Sequence, residues 1–482
     1  MSGEHERRVL TEKLVGDLYQ ETKFYSIETD MRPELWVYKD GIYENNGECY
    51  IKQFCRKELS KAYTTHISSE VIEKIRADNY VNPQYFFNIN NVGQIAVLNG
   101  ILDLNTRQLQ DFTKEMVFFN KFNITYDVKK NCPKIIKFVQ SIVRKKSEVQ
   151  VIQELFGDLL WKEYKFEKCF MFIGNGRNGK SKLAELMKLF VGPENTCAVH
   201  PSTIEDPKST TISYFHGKIV NLAMDINDTA LRNISVLKSL SGRDQVTAER
   251  KFLVPLSFEN YALMIFGCNK LPMVYDISDS AIAFWERFIL LEFPYTFTDR
   301  KIINSCKDAS KKKFMKVKNA NIIKDILTDS ELSGLLNWAL DGLDRLNKNG
   351  CYSYDLTPSE VAITWIKKSD SFKAFFMDHL EIDYDSKICK KDLRKMYVKY
   401  CKGHRLKTLS DIIINKSLSN EGVTAERIRK EGFVDITVWE GVKFKQDLNP
   451  YVDEYGICKL KSNDNSESVY SNVDKNGQVK FN

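Results

Sequence analysis

The residues with the most obvious chemical potential occupy eight consecutive positions: Gly174, Asn175, Gly176, Arg177, Asn178, Gly179, Lys180 and Ser181. They fit the spacing G-x-x-x-x-G-K-[ST]. Glycines placed this way let main-chain N–H groups turn inward around phosphate oxygens. A lysine at the seventh position brings positive charge to the β and γ phosphates, and the following serine offers a hydroxyl to Mg²⁺. The ligands this pattern anticipates are ATP and Mg²⁺, with all eight residues in the nucleotide site and Ser181 touching the metal.

Such a loop works only between a buried strand and a helix. Lys168 to Gly174 reads "KCFMFIG", an apolar run of strand length. After the loop, Leu183, Leu186, Met187 and Phe190 recur at helical spacing, so a helix N-terminus would aim its positive end at the same anion. A second strand should carry an acid for the metal and the attacking water. "GKIVNLAMDIND" provides one, with Asp225 closing the apolar run and Asp228 a weaker candidate three residues on. A third apolar run, "NYALMIFGCNKLP", ends in Asn269, an amide suited to positioning water against the γ-phosphate.

The ordered set "GNGRNGKS", "GKIVNLAMD", "LKSLSGRDQVTAERKF", "FGCNKLP" and "AFWERFILLEFP" resembles superfamily 3 helicases, specifically the phage/plasmid primase family and the helicase half of poxvirus-type primase–helicases. Upstream "IAVLNGILDLNTRQL" and downstream "LLNWALDGLDRL" extend the likeness over roughly residues 30 to 445. The resemblance implies an AAA+-like ATPase that assembles as a ring, usually a hexamer, around DNA and moves 3′ to 5′. It implies a hairpin that projects into the central channel, where Lys251 and Phe252 would meet the DNA, with Arg250 sharing the charge contact and Lys238 assisting. It also implies an arginine finger, for which Arg287 is the candidate. Two departures stand out: Glu286 occupies a place where the family commonly has a second basic residue, and Asp225 is a lone acid where many members carry two.

Composition frames these sites. Of 482 residues, 43% are hydrophobic and 28% charged, globular values that allow two or three domains. The net charge of +7 permits nucleic-acid binding without arguing for it, because 64 acids offset 71 bases. The basic run from Arg300 to Lys318 reads as a solvated loop. No apolar stretch is long enough to cross a bilayer, the start "MSGEHERRVL" has no signal-peptide core, and eleven scattered cysteines contain no C-x-x-C. A soluble, intracellular chain with reduced thiols is expected, in the cytoplasm of a host cell and without membrane contact. His379, Cys389, Cys401 and His404 match no zinc spacing.

The expected fold is α/β: a P-loop motor with a parallel sheet over 146–347, preceded by a smaller α+β domain over 1–145 and followed by a winged-helix-like module over 361–445, with a flexible tail over 446–482. In the first domain, Trp36, Tyr38 and Tyr43 could stack on bases, although half-buried strand aromatics are commoner. In the third, "GFVDITVWEGVKF" reads as two short strands around Gly441, and Lys395, Lys399, Lys402 and Arg405 suit backbone contact with duplex DNA. The expected activity is an ATP-dependent DNA helicase for replication of a virus, phage or plasmid-like element, acting on single-stranded and forked DNA beside a separate primase and polymerase. The alternatives are an ATP-switched replication initiator that does not unwind and, less favoured, a P-loop small-molecule kinase, which would need an acceptor pocket and an arginine-rich lid.

Overall fold

The computed structural model describes residues 2–27, 33–89, 91–204, 210–227, 231, 235–251, 253–274, 282–404, 406–428, 436–448, 450–453 and 456–460. The chain divides into two compact units, one built mainly from residues 1–269, 275–305 and 314–358, the other mainly from 359 onward. The expected division at 145 falls inside the first unit.

The centre of the first unit is a five-stranded, wholly parallel sheet. In spatial order its strands are Phe288–Glu292, Cys169–Ile173, Leu263–Cys268, Val220–Ala223 and Thr196–Cys197. Every residue of Cys169–Ile173 and Leu263–Cys268 is buried. That explains why these strands read as unbroken apolar runs: helices cover both faces of a parallel sheet, so no side of the strand needs polar residues. Parallel order has a functional result. The loop after Ile173, Asp225 after the Val220–Ala223 strand and Asn269 after Cys268 all emerge at the same end of three neighbouring strands, where open α/β sheets place their ligands.

Two helices outside the sheet, Lys146–Asp158 and Asp329–Asn349, pack closely because each presents a glycine at the crossing. A methyl group on Gly342 would stand 2.4 Å from the Gln153 carbonyl oxygen, and one on Gly157 2.5 Å from the Leu343 nitrogen. Arg345 Nε reaches the fully buried Glu154 at 2.5 Å. The helix Pro133–Ile142 lacks a side-chain cap from its own N-cap residue, Cys132. Glu331 supplies one from afar, accepting from Lys134 N and Ile135 N at 3.1 Å each, which satisfies donors a helix start otherwise leaves open.

The residues before the parallel sheet form helices Ser2–Glu21, Gly47–Leu59 and Thr65–Asp78 around an antiparallel sheet of Phe24–Ile27, Glu34–Lys39 and Ile42–Glu44. Leu14, Leu18, Phe24, Val37, Ile51, Val71 and Ile75 are its core. The aromatic candidates for base stacking belong to the packing. Tyr43 is buried and donates to Lys114 O at 2.6 Å. Trp36 meets Phe86, Phe87 and Phe119 edge-on at 5.4, 6.0 and 5.5 Å. Tyr38 lies half-buried against Tyr43.

The second unit carries helices Pro358–Ser369, Ser371–His379, Lys390–His404 and Asp411–Asn420 with a sheet ordered Thr424–Ile428, Ile436–Phe444, Leu380–Cys389, Ile457–Leu460, Pro450–Val452. The last two strands lie within the stretch expected as a tail. The segment read as two strands around Gly441 is instead one strand, Ile436–Phe444. Gly441, at φ +96°, stays in register opposite Asp383, where the partner strand bulges between Asp383 and Lys387. A left-handed residue absorbs a bulge as readily as it makes a turn. Phe372, Phe375, Tyr397, Leu418 and Trp439 fill this core.

Candidate active site

Lys180 opens the helix Lys180–Val191 and is buried. Its ammonium donates to Gly174 O and Cys268 O at 2.5 Å each and to Asn269 Oδ1 at 3.4 Å. Burial pushes its pKa below the usual lysine range, while Cys268 and the nearby Asp225 carboxylate oppose that shift. The lysine thus joins the loop to the end of the adjacent strand and brings the amide of Asn269 into the site. Gly179, directly before it, sits at φ +96°, a conformation that costs an L-residue about 1–2 kcal/mol.

The other loop residues divide by exposure. Asn175, Gly176, Arg177 and Ser181 face outward, whereas Asn178 is buried. Asn178 Nδ2 donates to Phe293 O at 3.4 Å, and its Oδ1 accepts from Lys180 N at 3.2 Å. Arg177 stands at φ +62° with its carbonyl accepting from Phe297 N at 2.7 Å. These two residues fasten the loop to the segment after the Phe288–Glu292 strand. The motif gave both only as unspecified positions, and nothing in their sequence marks the bracing role.

Asp225 is exposed and takes a left-handed backbone, φ +62°, which aspartate tolerates better than most residues. The next amide, Ile226 N, donates to Gly267 O at 2.8 Å and holds the bend against the Leu263–Cys268 strand. The Ser181 hydroxyl and the Asp225 carboxylate are hard oxygen donors at the end of the sheet that also holds Lys180, a set suited to a Mg²⁺ that keeps most of its waters. Asp228 and Phe252 lie outside the described residues.

The segment expected to form a hairpin does so: Gln245–Arg250 pairs antiparallel with Leu253–Glu259. Lys251 is exposed between the strands. Arg250 does not join it on the outside. Its side chain is 14% exposed, lies 2.9 Å from Glu34 Oε1 and covers the Phe87 ring at 5.4 Å. Arg250 is the last residue of its strand and turns to the buried face with Val246 and Ala248, whereas Lys251 belongs to the turn. Lys238 is half-buried on the short helix Ser235–Ser241 that precedes the hairpin.

Arg287 stands at the other end of the sheet. It precedes the strand Phe288–Glu292, whose first residue pairs with Cys169, so a strand's length of about 16 Å separates it from the loop in its own subunit. Its Nη2 is 3.6 Å from Glu167 and its Nη1 donates to Ala283 O at 2.6 Å, while Nε is buried without a hydrogen-bond partner. The Gly174–Ser181 loop of the same chain is out of its reach.

In the second unit, Lys395, Lys399 and Lys402 are exposed along one face of the helix Lys390–His404, and Arg405 lies outside the described residues. Cys401 is buried, and His379 and His404 pack on Tyr400 with ring centres 5.2 and 4.2 Å away. Among the described residues no group of three His, Cys, Asp or Glu stands together to hold a metal ion. The eleven cysteines form no disulfide. Among the described residues no helix is long and apolar enough to cross a membrane.

Residues 8–144 match the "D5 N terminal like" family, and residues 172–287, from the P-loop strand to Arg287, match a family of unknown function (DUF5906). No curated protein sequence matches the chain significantly. Among solved structures, the A form apo structure of the NrS-1 C-terminal region aligns with 89% of this chain and 98% of its own at 12% identity and a TM-score of 0.44. The X-ray structure of JCV helicase aligns with 51% of this chain and 64% of its own at 12% identity and a TM-score of 0.25. The segment matched by the D5 N-terminal-like family thus lies ahead of the Gly174–Ser181 loop in the chain.

Proposed function

We propose that this protein is a ring-forming, ATP-driven DNA helicase serving replication of a virus, phage or plasmid-like element. The observation that carries the reading is the position of Lys180, buried at the end of a parallel sheet with Gly174 O, Cys268 O and the Asn269 amide around its ammonium and Asp225 nearby.

ATP would lie across the loop with its phosphates against the first turn of the Lys180–Val191 helix. Ser181 and Asp225 would hold Mg²⁺, which neutralises phosphate charge when bound. Lys180 stabilises the charge that develops on the γ-phosphoryl oxygens, and Asn269 orients the attacking water by hydrogen bond. Asp225 would support the metal and, beside Asn269, help orient the water. Arg287, too distant in its own subunit, would act on the nucleotide of a neighbouring subunit after leaving Glu167. Hydrolysis would then depend on ring assembly. Lys251 would hold the phosphate backbone and Phe252 a base or sugar, and hairpin movement would carry the strand, in the 3′ to 5′ direction. The basic face of the helix Lys390–His404 would meet duplex ahead of the fork, and primase and polymerase would be separate proteins.

The deciding experiment combines native mass measurement, with ATP analogue and forked DNA present, and strand displacement on forks of both polarities. Assembly, single-strand-stimulated ATPase and displacement of the duplex are expected. A particle that remains single and hydrolyses ATP regardless of DNA overturns the reading.

A further inference from the structure

One buried ion pair ties the hairpin to the N-terminal domain. Arg250 ends the first hairpin strand beside Lys251, and its Nη2 lies 2.9 Å from Glu34 Oε1, with side chains 14% and 4% exposed. Glu34 opens the strand Glu34–Lys39, and its other oxygen accepts from Asn45 Nδ2 at 2.9 Å. The guanidinium also rests on Phe87. Other contacts run along the same seam. Asn88 Nδ2 donates to Ser257 O at 3.3 Å, and Phe258 meets His216 edge-on at 5.3 Å. The His216 ring in turn contacts Phe87 O at 3.2 Å.

Parting a buried pair leaves each charge in a medium that solvates it poorly, which is why loss of one partner is strongly destabilising. Sliding the hairpin past the strand Glu34–Lys39 would do this to both Arg250 and Glu34. The inward side chain is fixed, and its neighbour Lys251 is the first residue of the turn that follows, where it is exposed. We propose that Glu34 is a positioning residue for the helicase reaction. By holding Arg250 it sets where Lys251 stands, and it makes the N-terminal domain travel with the hairpin through the nucleotide cycle. The inference rests on the hairpin being the DNA-contacting element.

The test uses the full chain and compares Glu34→Gln, Arg250→Gln, the double variant and Lys251→Ala. Glu34→Gln should keep DNA-independent ATPase within about twofold while the DNA-stimulated increment and strand displacement fall about tenfold, the scale expected when a functional group is misplaced by a fraction of an ångström. The double variant should be no worse than either single change, because both remove one interaction. Wild-type displacement by Glu34→Gln overturns the inference, as do losses that multiply to about a hundredfold in the double variant. If Glu34→Gln does not fold, Asn45→Ala, which loosens the same carboxylate, should lose about threefold, and wild-type displacement by it overturns the inference. Impaired Lys251→Ala beside unimpaired Glu34→Gln rejects the positioning role and leaves the hairpin reading standing. Unimpaired Lys251→Ala overturns both.

Discussion

Replacing Gly179 by alanine tests the loop geometry by stability and by binding at once. At φ +96° the backbone alone should cost about 1–2 kcal/mol. The new methyl would also stand 2.5 Å from Ile142 Cγ2. Ile142 is fully buried and ends a helix whose first turn Glu331 holds, so it has little room to withdraw. Overpacking of this kind costs about 1–3 kcal/mol, giving roughly 2–5 kcal/mol in all if the loop keeps its shape. If the loop yields instead, Lys180 is pulled from Gly174 O and Cys268 O and nucleotide affinity falls. Urea unfolding and titration with a fluorescent ATP analogue, on Gly179→Ala, Ile142→Ala and the double variant, separate the two responses. The double variant should be less destabilised than the sum of the single changes by about 1–3 kcal/mol, because the clash has gone while the backbone cost remains. Gly179→Ala with stability within about 0.5 kcal/mol of wild type and unchanged binding would refute the reasoning.

Lys180→Ala should reduce ATP turnover by at least about 10²-fold with a cooperative melt retained, and undiminished turnover removes Lys180 from the chemistry. Asp225→Asn keeps a side chain at ease in the left-handed backbone and should bind the ATP analogue while losing about 10²–10⁴-fold in hydrolysis; a stopped assay for released phosphate reads the difference. Arg287→Ala subunits mixed with wild type should depress ATPase more steeply than their fraction, since a trans finger is worth about 10³–10⁵-fold, and a linear decline rules out the trans role. Burial lowers the His216 pKa to about 4 from an ordinary 6.5. The unfolded chain therefore takes up this proton first as pH falls. Stability is fully present above pH 6.5 and is lost between 6.5 and 4, by up to about 3 kcal/mol, less whatever water reaching the half-buried ring offsets. Denaturation midpoints across that range should flatten in His216→Phe.

Legibility in the sequence followed the range of the interaction. The loop, Asp225 and Asn269 could be found because each ends an apolar run, and a parallel sheet brings such ends together. Direction of side chains was harder. Arg250 and Lys251 are adjacent bases, and only pairing with Leu253–Glu259 decides which faces Glu34. Asn178 reads as a loop amide until Phe293 O appears beside it. In the basic run after Arg300, Lys316 is no solvated charge: it lies over the Tyr295 ring and donates to Ser141 O at 2.6 Å. Arg287 was found by its place after a tryptophan, but its distance from the loop follows from strand direction. Gly441 looked like a turn because a bulge and a turn ask for the same backbone.

The remote cap on the Pro133–Ile142 helix governs when this protein can finish folding. Glu331 is 196 residues beyond the amide of Ile135 that it satisfies. At about 5–20 residues per second, a ribosome needs roughly 10–40 s to deliver it. Through that interval the wall behind Gly179 has an open first turn, and the crossing of Gly157 with Gly342 is not yet made. A fragment begun at residue 146 would never acquire that wall, so a fragment holding the parallel sheet should be cut upstream of Cys132 and carried past Gly350.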